Sequence, residues 1–260
     1  MAGTALVMRR SLVAAVALVL LSAAAAQAAP TLSTSNRLDD RRYVESGPRG
    51  YVVGSEAGRF PASGWHIRGE MGGVWTPPLK LLDGIWFGID GQWIGPATRF
   101  SSGYGHSIME LPPQSGVRLT RTDFVPDGVR GALFGLTLRS TGGARTVTVM
   151  VDAHSELLSA YPWGWTTPNA TEFNEQDSAA ADGGRIVFSE PRGWTAVVGA
   201  REQPLDVVTG PGFRGPQEPP VICPMDGPPP PRCDDSAAAD GGRIVFSEPR
   251  GWTAVVGARE

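Results

Sequence analysis

The sequence predicts an all-β protein built as an antiparallel β-sandwich. Three observations support this fold class. Short segments rich in β-branched and aromatic residues recur along the chain, and Gly, Pro, Asp and Asn separate them. Hairpin-type turn signals join several of these segments, whereas helical periodicity is hard to find after the first 28 residues. The remaining ~230 residues are enough for one good-sized all-β domain.

The N-terminus has the three parts of an export signal. Arg9 and Arg10 supply the positive charge, and Leu12–Ala26 is an apolar run too short to span a membrane comfortably. Small residues around Ala28 then form a cleavage site of the A-x-A type. We therefore predict a signal peptide over residues 1–28 and a secreted or periplasmic protein without a stable membrane anchor after cleavage; an uncleaved anchor helix is the alternative.

Strand signals follow in order along the predicted sandwich domain, residues 29–202. They cover Tyr51–Gly54, Gly84–Gly95 as two strands around the turn at Asp90, and the alternating segment Val117–Phe124. Ala132–Ser140 and Arg145–Ala153 flank the Gly-rich segment 141–144, which favours a second hairpin. Valines and Met150 give Arg145–Ala153 apolar residues on both faces, so we expect a strand covered at least partly on both sides.

Twenty-six residues occur twice without a substitution, at Asp177–Glu202 and Asp235–Glu260. Each copy predicts one β-hairpin around a Pro-Arg-Gly turn. Identity even at permissive positions indicates a recent duplication or an assembly error rather than a selected repeat, because functional repeats drift and usually occur in more copies. We expect the first copy to fill a slot in the sandwich, and the second to attach loosely or to compete by strand exchange.

The segment between the copies, residues 203–234, has the composition of a linker. Ten of the thirty residues from Gln203 to Arg232 are proline, which favours polyproline II or disorder. The chain's two cysteines, Cys223 and Cys233, lie here, and a small loop disulfide is the natural prediction for an exported protein. Two free thiols remain the alternative.

Composition and missing motifs exclude several function classes. The 23 basic and 26 acidic residues nearly balance and form no basic stripe, so nucleic acid is a poor candidate partner. The sequence has no G-x-S-x-G elbow, no P-loop and no dinucleotide-binding glycine motif. We expect no cofactor.

A dense cluster of aromatic and polar residues spans Gly64–Phe100. Flat aromatic faces beside hydrogen-bonding groups suit sugars, whose rings present C–H patches between hydroxyl groups. The carbohydrate-contact candidates are Trp65, His66, Glu70, Trp75, Trp86, Asp90 and Trp93. For any single tryptophan, burial in the core is the alternative interpretation.

A second constellation is the alternating trio Asp152, His154 and Glu156, which a strand would project to one face. Such a trio suits a metal or acid–base cluster, but it is more often a hydrogen-bonded network at a strand end. The chain has only three histidines, so we predict no metal site.

Four long segments resemble the N-terminal part of secreted bacterial glycogen-debranching-type proteins, members of the six-hairpin glycosidases related to glucoamylases. The segments are Arg37–Val44, Gly64–Phe100, Arg121–Gly128 and Ala132–Trp165. The resemblance implies a β-sandwich of the supersandwich type followed by a helical toroid that carries the catalytic acid and base. Nothing in this sequence matches the toroid, so no catalytic residue is carried over.

The sequence therefore favours a carbohydrate-associated sandwich fragment of an exported glycoside hydrolase, without turnover of its own, with an α-glucan or related glycan as partner. A free-standing carbohydrate-binding module is the main alternative. A small metal-dependent enzyme built on Asp152, His154 and Glu156 is the third.

Overall fold

The computed structural model describes residues 30–61, 71–158, 176–217, 241–247 and 252–258. Within these ranges all regular structure is β-strand, and the strands form two antiparallel sheets, which confirms the predicted fold class. The strands are β1 (Leu32–Thr34), β2 (Arg42–Gly47), β3 (Gly50–Ser55), β4 (Gly73–Thr76), β5 (Leu79–Ile89), β6 (Gln92–Trp93), β7 (Arg99–Gly103), β8 (His106–Gln114), β9 (Val117–Phe124), β10 (Gly131–Ser140), β11 (Thr148–Ser155), β12 (Ser178–Asp182), β13 (Arg185–Ser189), β14 (Thr195–Ala200), β15 (Asp206–Gly210), β16 (Gly241–Ser247) and β17 (Trp252–Ala258).

The two sheets draw on distant parts of the chain. Sheet A has the strand order β1-β7-β8-β9-β10-β17-β14-β13-β12 among the described residues. Sheet B has the order β15-β16-β11-β5-β4-β3-β2, with β6 paired to β5. Among the residues that the structure describes, no helix has the length and apolar character needed to cross a membrane.

One apolar core joins the inner faces of both sheets. From sheet B, Ile85 and Ile89 on β5 and Val149 on β11 are fully buried. From sheet A, Phe134 and Leu136 on β10 are fully buried in the same cluster. Alternating residues of facing strands thus exclude water between the sheets, as in other sandwiches.

The turn at Asp90 is confirmed and the turn at residues 141–144 is not. Asp90 and Gly91 adopt positive φ values of 52° and 81° and join β5 to β6, as expected for an Asp-Gly hairpin. The segment 141–144 instead connects β10 in sheet A to β11 in sheet B, so the predicted second hairpin is wrong. A Gly-rich turn signal specifies a chain reversal, but it does not specify that the two flanking strands pair.

Strand β11 is covered on both faces, as the sequence predicted. It lies between β5 and β16. Val149 and Val151 face the core, and on the opposite face Met150 is also buried, with an exposed fraction of 8%.

The two identical copies adopt different arrangements. In the first copy β13 and β14 form the predicted hairpin in sheet A. In the second copy β16 lies in sheet B between β11 and β15, and β17 lies in sheet A between β10 and β14. The second copy is therefore neither a hairpin nor loosely attached, because its two strands are interior strands of opposite sheets.

Part of the proline-rich segment also belongs to a sheet. Strand β15, at Asp206–Gly210, pairs with β16 at one edge of sheet B. The sequence around Val207 and Val208 contains no proline, which leaves its N–H groups available for a ladder.

Candidate functional site

A cleft of about 490 Å³ lies beside the middle of β5. Among the described residues, β4 pairs with β5 from Leu79 to Leu82, and β6 pairs with β5 at Gly88 and Ile89. Between these partners β5 carries Ile85, Trp86 and Phe87, which line the cleft. The cleft therefore lies next to two aromatic residues of β5, Trp86 and Phe87.

Two loops complete the walls of the cleft. Residues 57–61 follow β3, and residues 94–96 follow Trp93 at the end of β6. The second loop is held to β5 by a hydrogen bond of 3.0 Å from the Ile94 amide to the Phe87 carbonyl. Main-chain bonding therefore fixes the position of Trp93 relative to Trp86.

Phe60 and Arg243 pack against the two tryptophans of the cleft. Trp86 meets Phe60 edge-on, with ring centroids 6.0 Å apart. The guanidinium carbon of Arg243 lies 5.2 Å from the ring centroid of Trp93, a cation–π contact. Trp86 is only 6% exposed, whereas Trp93 is partly exposed, so Trp93 offers the more accessible ring.

The polar lining consists of hydrogen-bond donors and one amide. Arg59, Arg121 and Gln217 reach the cleft, and its described lining contains no carboxylate. Arg59 is 57% exposed at its side chain, and its Nε lies 3.5 Å from Asp39 Oδ1. These side chains suit hydroxyl or anionic groups, and the described part of the lining does not contain the carboxylate pair that glycoside hydrolysis requires.

Arg121 is held rigidly beneath the cleft. Its Nε and Nη2 each donate a 2.7 Å hydrogen bond to Asp123, and its Nη1 donates to the Gly58 carbonyl at 2.8 Å. The Tyr43 hydroxyl also donates to Asp123. Burial, and after it the Asp123 carboxylate, raises the pKa of Tyr43 well above its usual value. The tyrosine therefore stays a donor and supports the ion pair.

Sequence reasoning missed Arg121, although a signal was present. Arg121 and Asp123 lie in phase with Val117 and Leu119, and all four residues are buried on one face of β9. Opposite charges two residues apart on the apolar face of an alternating strand indicate a buried ion pair, because one face of a strand repeats every second residue.

A second charged cluster lies apart from the cleft lining. Asp83 accepts from Lys80 Nζ at 2.8 Å, lies 3.0 Å from His154 Nδ1, and contacts Arg214 Nη1 at 2.7 Å. Burial by itself would raise the pKa of Asp83, but Lys80, followed by His154 and Arg214, lowers it far below its usual range. Asp83 is thus the anionic centre of a buried ion-pair network.

The trio predicted from the alternation divides between two networks. Asp152 binds Arg243, with its Oδ1 2.6 Å from Arg243 Nε, and accepts from the Gly215 amide at 3.2 Å. His154 belongs to the Asp83 cluster, and Glu156 is buried just beyond the end of β11. Among the described residues, no three His, Cys, Asp or Glu side chains converge as metal ligands. Asp152 and His154 thus belong to two separate hydrogen-bonded networks.

Two of the seven predicted carbohydrate-contact residues meet in the cleft, namely Trp86 and Trp93. Trp75 is buried elsewhere, stacked on Tyr51 with ring centroids 5.9 Å apart. Asp90 lies in the hairpin turn, where its Oδ1 accepts from the Thr148 amide at 2.8 Å. Trp65, His66, Glu70 and the cysteines Cys223 and Cys233 lie outside the described residues.

Asp177, at the start of the first copy, has a carboxyl group with a raised pKa. Burial raises its pKa to about 6, against the opposing effect of the hydrogen bond from the Leu157 amide to its Oδ2, which is 2.9 Å long. The folded state therefore binds this proton more tightly than the unfolded state, whose aspartates titrate near ~3.9. Stability from this group is complete below about pH 4 and is lost as the pH rises through about 6.

Asp177→Asn should raise the free energy of unfolding at pH 8 by ~1–3 kcal/mol, because the buried charge disappears while an amide oxygen still accepts from Leu157. The advantage should shrink towards pH 5. Urea titrations at both pH values measure it, with the exposed Asp182→Asn as control. A variant less stable than the parent at pH 8 would contradict this account.

Comparisons with known proteins leave the family open. No protein-family model matches the chain, and no curated protein matches it. Among solved structures, the chain is similar to a heparan sulfate lyase HepC mutant from Pedobacter heparinus, with a TM-score of 0.47 and 9% identity over 88% of this chain and 36% of that one. It is also similar to 4-alpha-glucanotransferase from Thermococcus litoralis, with a TM-score of 0.42 and 8% identity over 89% and 39%. The chain thus spans less than two fifths of either protein, and likenesses this weak carry no functional argument.

Proposed function

We propose that this chain is an exported carbohydrate-binding β-sandwich whose cleft beside β5 receives a glycan. The observation that carries the proposal is the cleft's pairing of Trp86 and Trp93 with the donors Arg59 and Gln217, above the buried Arg121–Asp123 ion pair. Its volume of about 490 Å³ lies within the usual range for small-ligand sites. Aromatic rings would pack on sugar C–H faces, while guanidinium and amide groups would bond the hydroxyls.

We further propose that the sandwich belongs to a glycosidase of the glycogen-debranching type and does not itself hydrolyse glycans. The long sequence resemblance supports the first part. The described residues of the lining, which include no carboxylate, support the second, because hydrolysis with retention or inversion needs two carboxyl groups flanking the scissile bond. Measuring hydrolysis of maltooligosaccharides and glycogen by the purified chain tests it; turnover abolished by a point substitution in this chain would contradict it.

Trp93→Ala should weaken glycan binding at least tenfold, about 1.4 kcal/mol, because the accessible ring of the cleft is lost. Calorimetric titration of the full chain with maltooligosaccharides and a wider glycan panel measures it. Trp93 suits the test better than Trp86, whose near-complete burial makes its removal a folding defect.

Trp194→Ala is the matched control, since Trp194 is 39% exposed and does not line the cleft. Its affinity should equal that of the parent. Equal affinity of the Trp93→Ala chain and the parent, or no binding by the parent to any glycan, would overturn the assignment of the cleft. Binding by the parent without hydrolysis would also fit a free-standing binding module.

A further inference from the structure

The identical strands of the two copies pair with each other in a symmetric register. In the β14–β17 ladder Val198 lies opposite Val256, which is the same residue of the other copy. Moving outwards, Ala196 lies opposite Ala258, and Ala200 lies opposite Ala254. Each pair therefore matches one position of the repeat with its mirror position about Val198.

This register is the one that a two-fold axis imposes on two identical strands. In an isologous interface, residue i of one subunit contacts residue j of the other, and j contacts i. The two copies within one chain thus pair with the local symmetry of an isologous contact. Strand β10 completes the slot, with Leu133 opposite Val255 on the other side of β17.

The other described strand of the second copy, β16, occupies a comparable slot in sheet B. There β16 pairs with β11 and β15, and Arg243 forms an ion pair with Asp152. Because these neighbours recur in every molecule of this chain, the slots of one molecule fit the β16 and β17 of another equally well. Exchange of identical elements keeps every contact, so it costs little energy.

The connecting segment is long enough for exchange. Residues 218–240, which are 23 residues, separate Gln217 from Gly241. An extended chain of that length reaches on the order of 75 Å, far beyond the ~4.8 Å spacing of neighbouring strands.

We propose that two copies of this chain associate by reciprocal exchange of the strands β16 and β17. Strands β16 and β17 of each molecule enter the slots of the other, between β11 and β15 and between β10 and β14. The partner is a second copy of the chain, and the association is independent of glycan binding.

Cross-linking between two singly substituted chains tests the exchange. One chain carries Leu133→Cys and the other carries Val255→Cys, both with Cys223→Ser and Cys233→Ser; positions 133 and 255 are opposite each other in the ladder. The chains are unfolded together, refolded, oxidised and separated on a non-reducing gel. We expect a covalent heterodimer at least tenfold more abundant than the homodimer from either chain alone.

Three further measurements complete the test of the exchange. A single chain carrying both substitutions reports the pairing within one molecule, and its monomeric disulfide beside a mixture without heterodimer would overturn the proposal. A disulfide in a chain with Leu133→Cys and Val197→Cys would also overturn it, because the first copy would then occupy the slot. Sedimentation equilibrium of the unsubstituted chain should show dimers increasing with concentration; monomer alone up to the solubility limit contradicts the exchange.

Discussion

Deletion of residues 218–260 is expected to abolish cooperative folding of the sandwich. The deletion removes β16 and β17, which are interior strands of opposite sheets. In sheet A, β10 and β14 each lose their partner β17. In sheet B, β11 and β15 each lose their partner β16. The free energy of unfolding that these pairings contribute should exceed the ~5–15 kcal/mol by which a typical domain is stable. Thermal unfolding followed by circular dichroism should show no cooperative transition.

Proline substitutions at equivalent positions of the two copies provide a matched control. Val198→Pro and Val256→Pro change the same residue in strands that each lie between two partners. Both should lower the melting temperature strongly, because proline removes a ladder hydrogen bond from an interior strand. Ser33→Pro in the edge strand β1 should cost far less. A deleted chain that melts within a few degrees of the full chain would show that the second copy is not part of the fold.

Asp123→Asn is expected to destabilise the fold by ~3–5 kcal/mol, the cost of leaving a buried charge without its partner. Asp123 has no exposed surface, and Arg121 is 3% exposed. The substitution leaves the guanidinium enclosed by the rings of Phe60, Phe87 and Phe134, whose centroids lie 5.2–5.8 Å away. Cation–π contacts offset only part of that charge.

The same substitution in an exposed ion pair is the control for Asp123→Asn. Asp40 lies 3.0 Å from Arg37, and both side chains are mostly exposed. Asp40→Asn should change the free energy of unfolding by less than ~0.5 kcal/mol, because water and salt screen the pair. Urea denaturation measures both variants; equal effects would show that the Arg121–Asp123 pair is not buried as described.

Local sequence patterns predicted the strands well and the pairing of strands poorly. The alternation in Val117–Phe124 and the Asp90-Gly91 turn each act within a few residues, so their outcome is readable from the sequence. Whether β10 pairs with β11 depends on contacts with strands far along the chain. The sandwich places them in different sheets although only a short Gly-containing segment connects them.

The two copies show the limit most clearly. Identical residues form a hairpin at β13–β14 and two separated strands at β16 and β17. Arg185 is exposed, while its equivalent Arg243 binds Asp152 and supports Trp93. A local pattern cannot distinguish these outcomes, because the available partners in the two sheets decide them.

The candidate site shows the same division. The sequence shows that Trp86 and Trp93 belong to a segment rich in aromatic residues, and both line the cleft. Gln217 joins them from a distant part of the chain, so its role depends on the tertiary structure.

The assignment of the cleft is tested most directly by nuclear magnetic resonance of the tryptophan indole N–H groups during titration with a glycan that binds the chain. Trp93→Phe and Trp194→Phe variants identify the two signals. We predict that the Trp93 signal shifts with saturation while the Trp194 signal stays in place. Shifts confined to Trp194, or no shift at Trp93 at saturating glycan, would contradict a glycan site in this cleft.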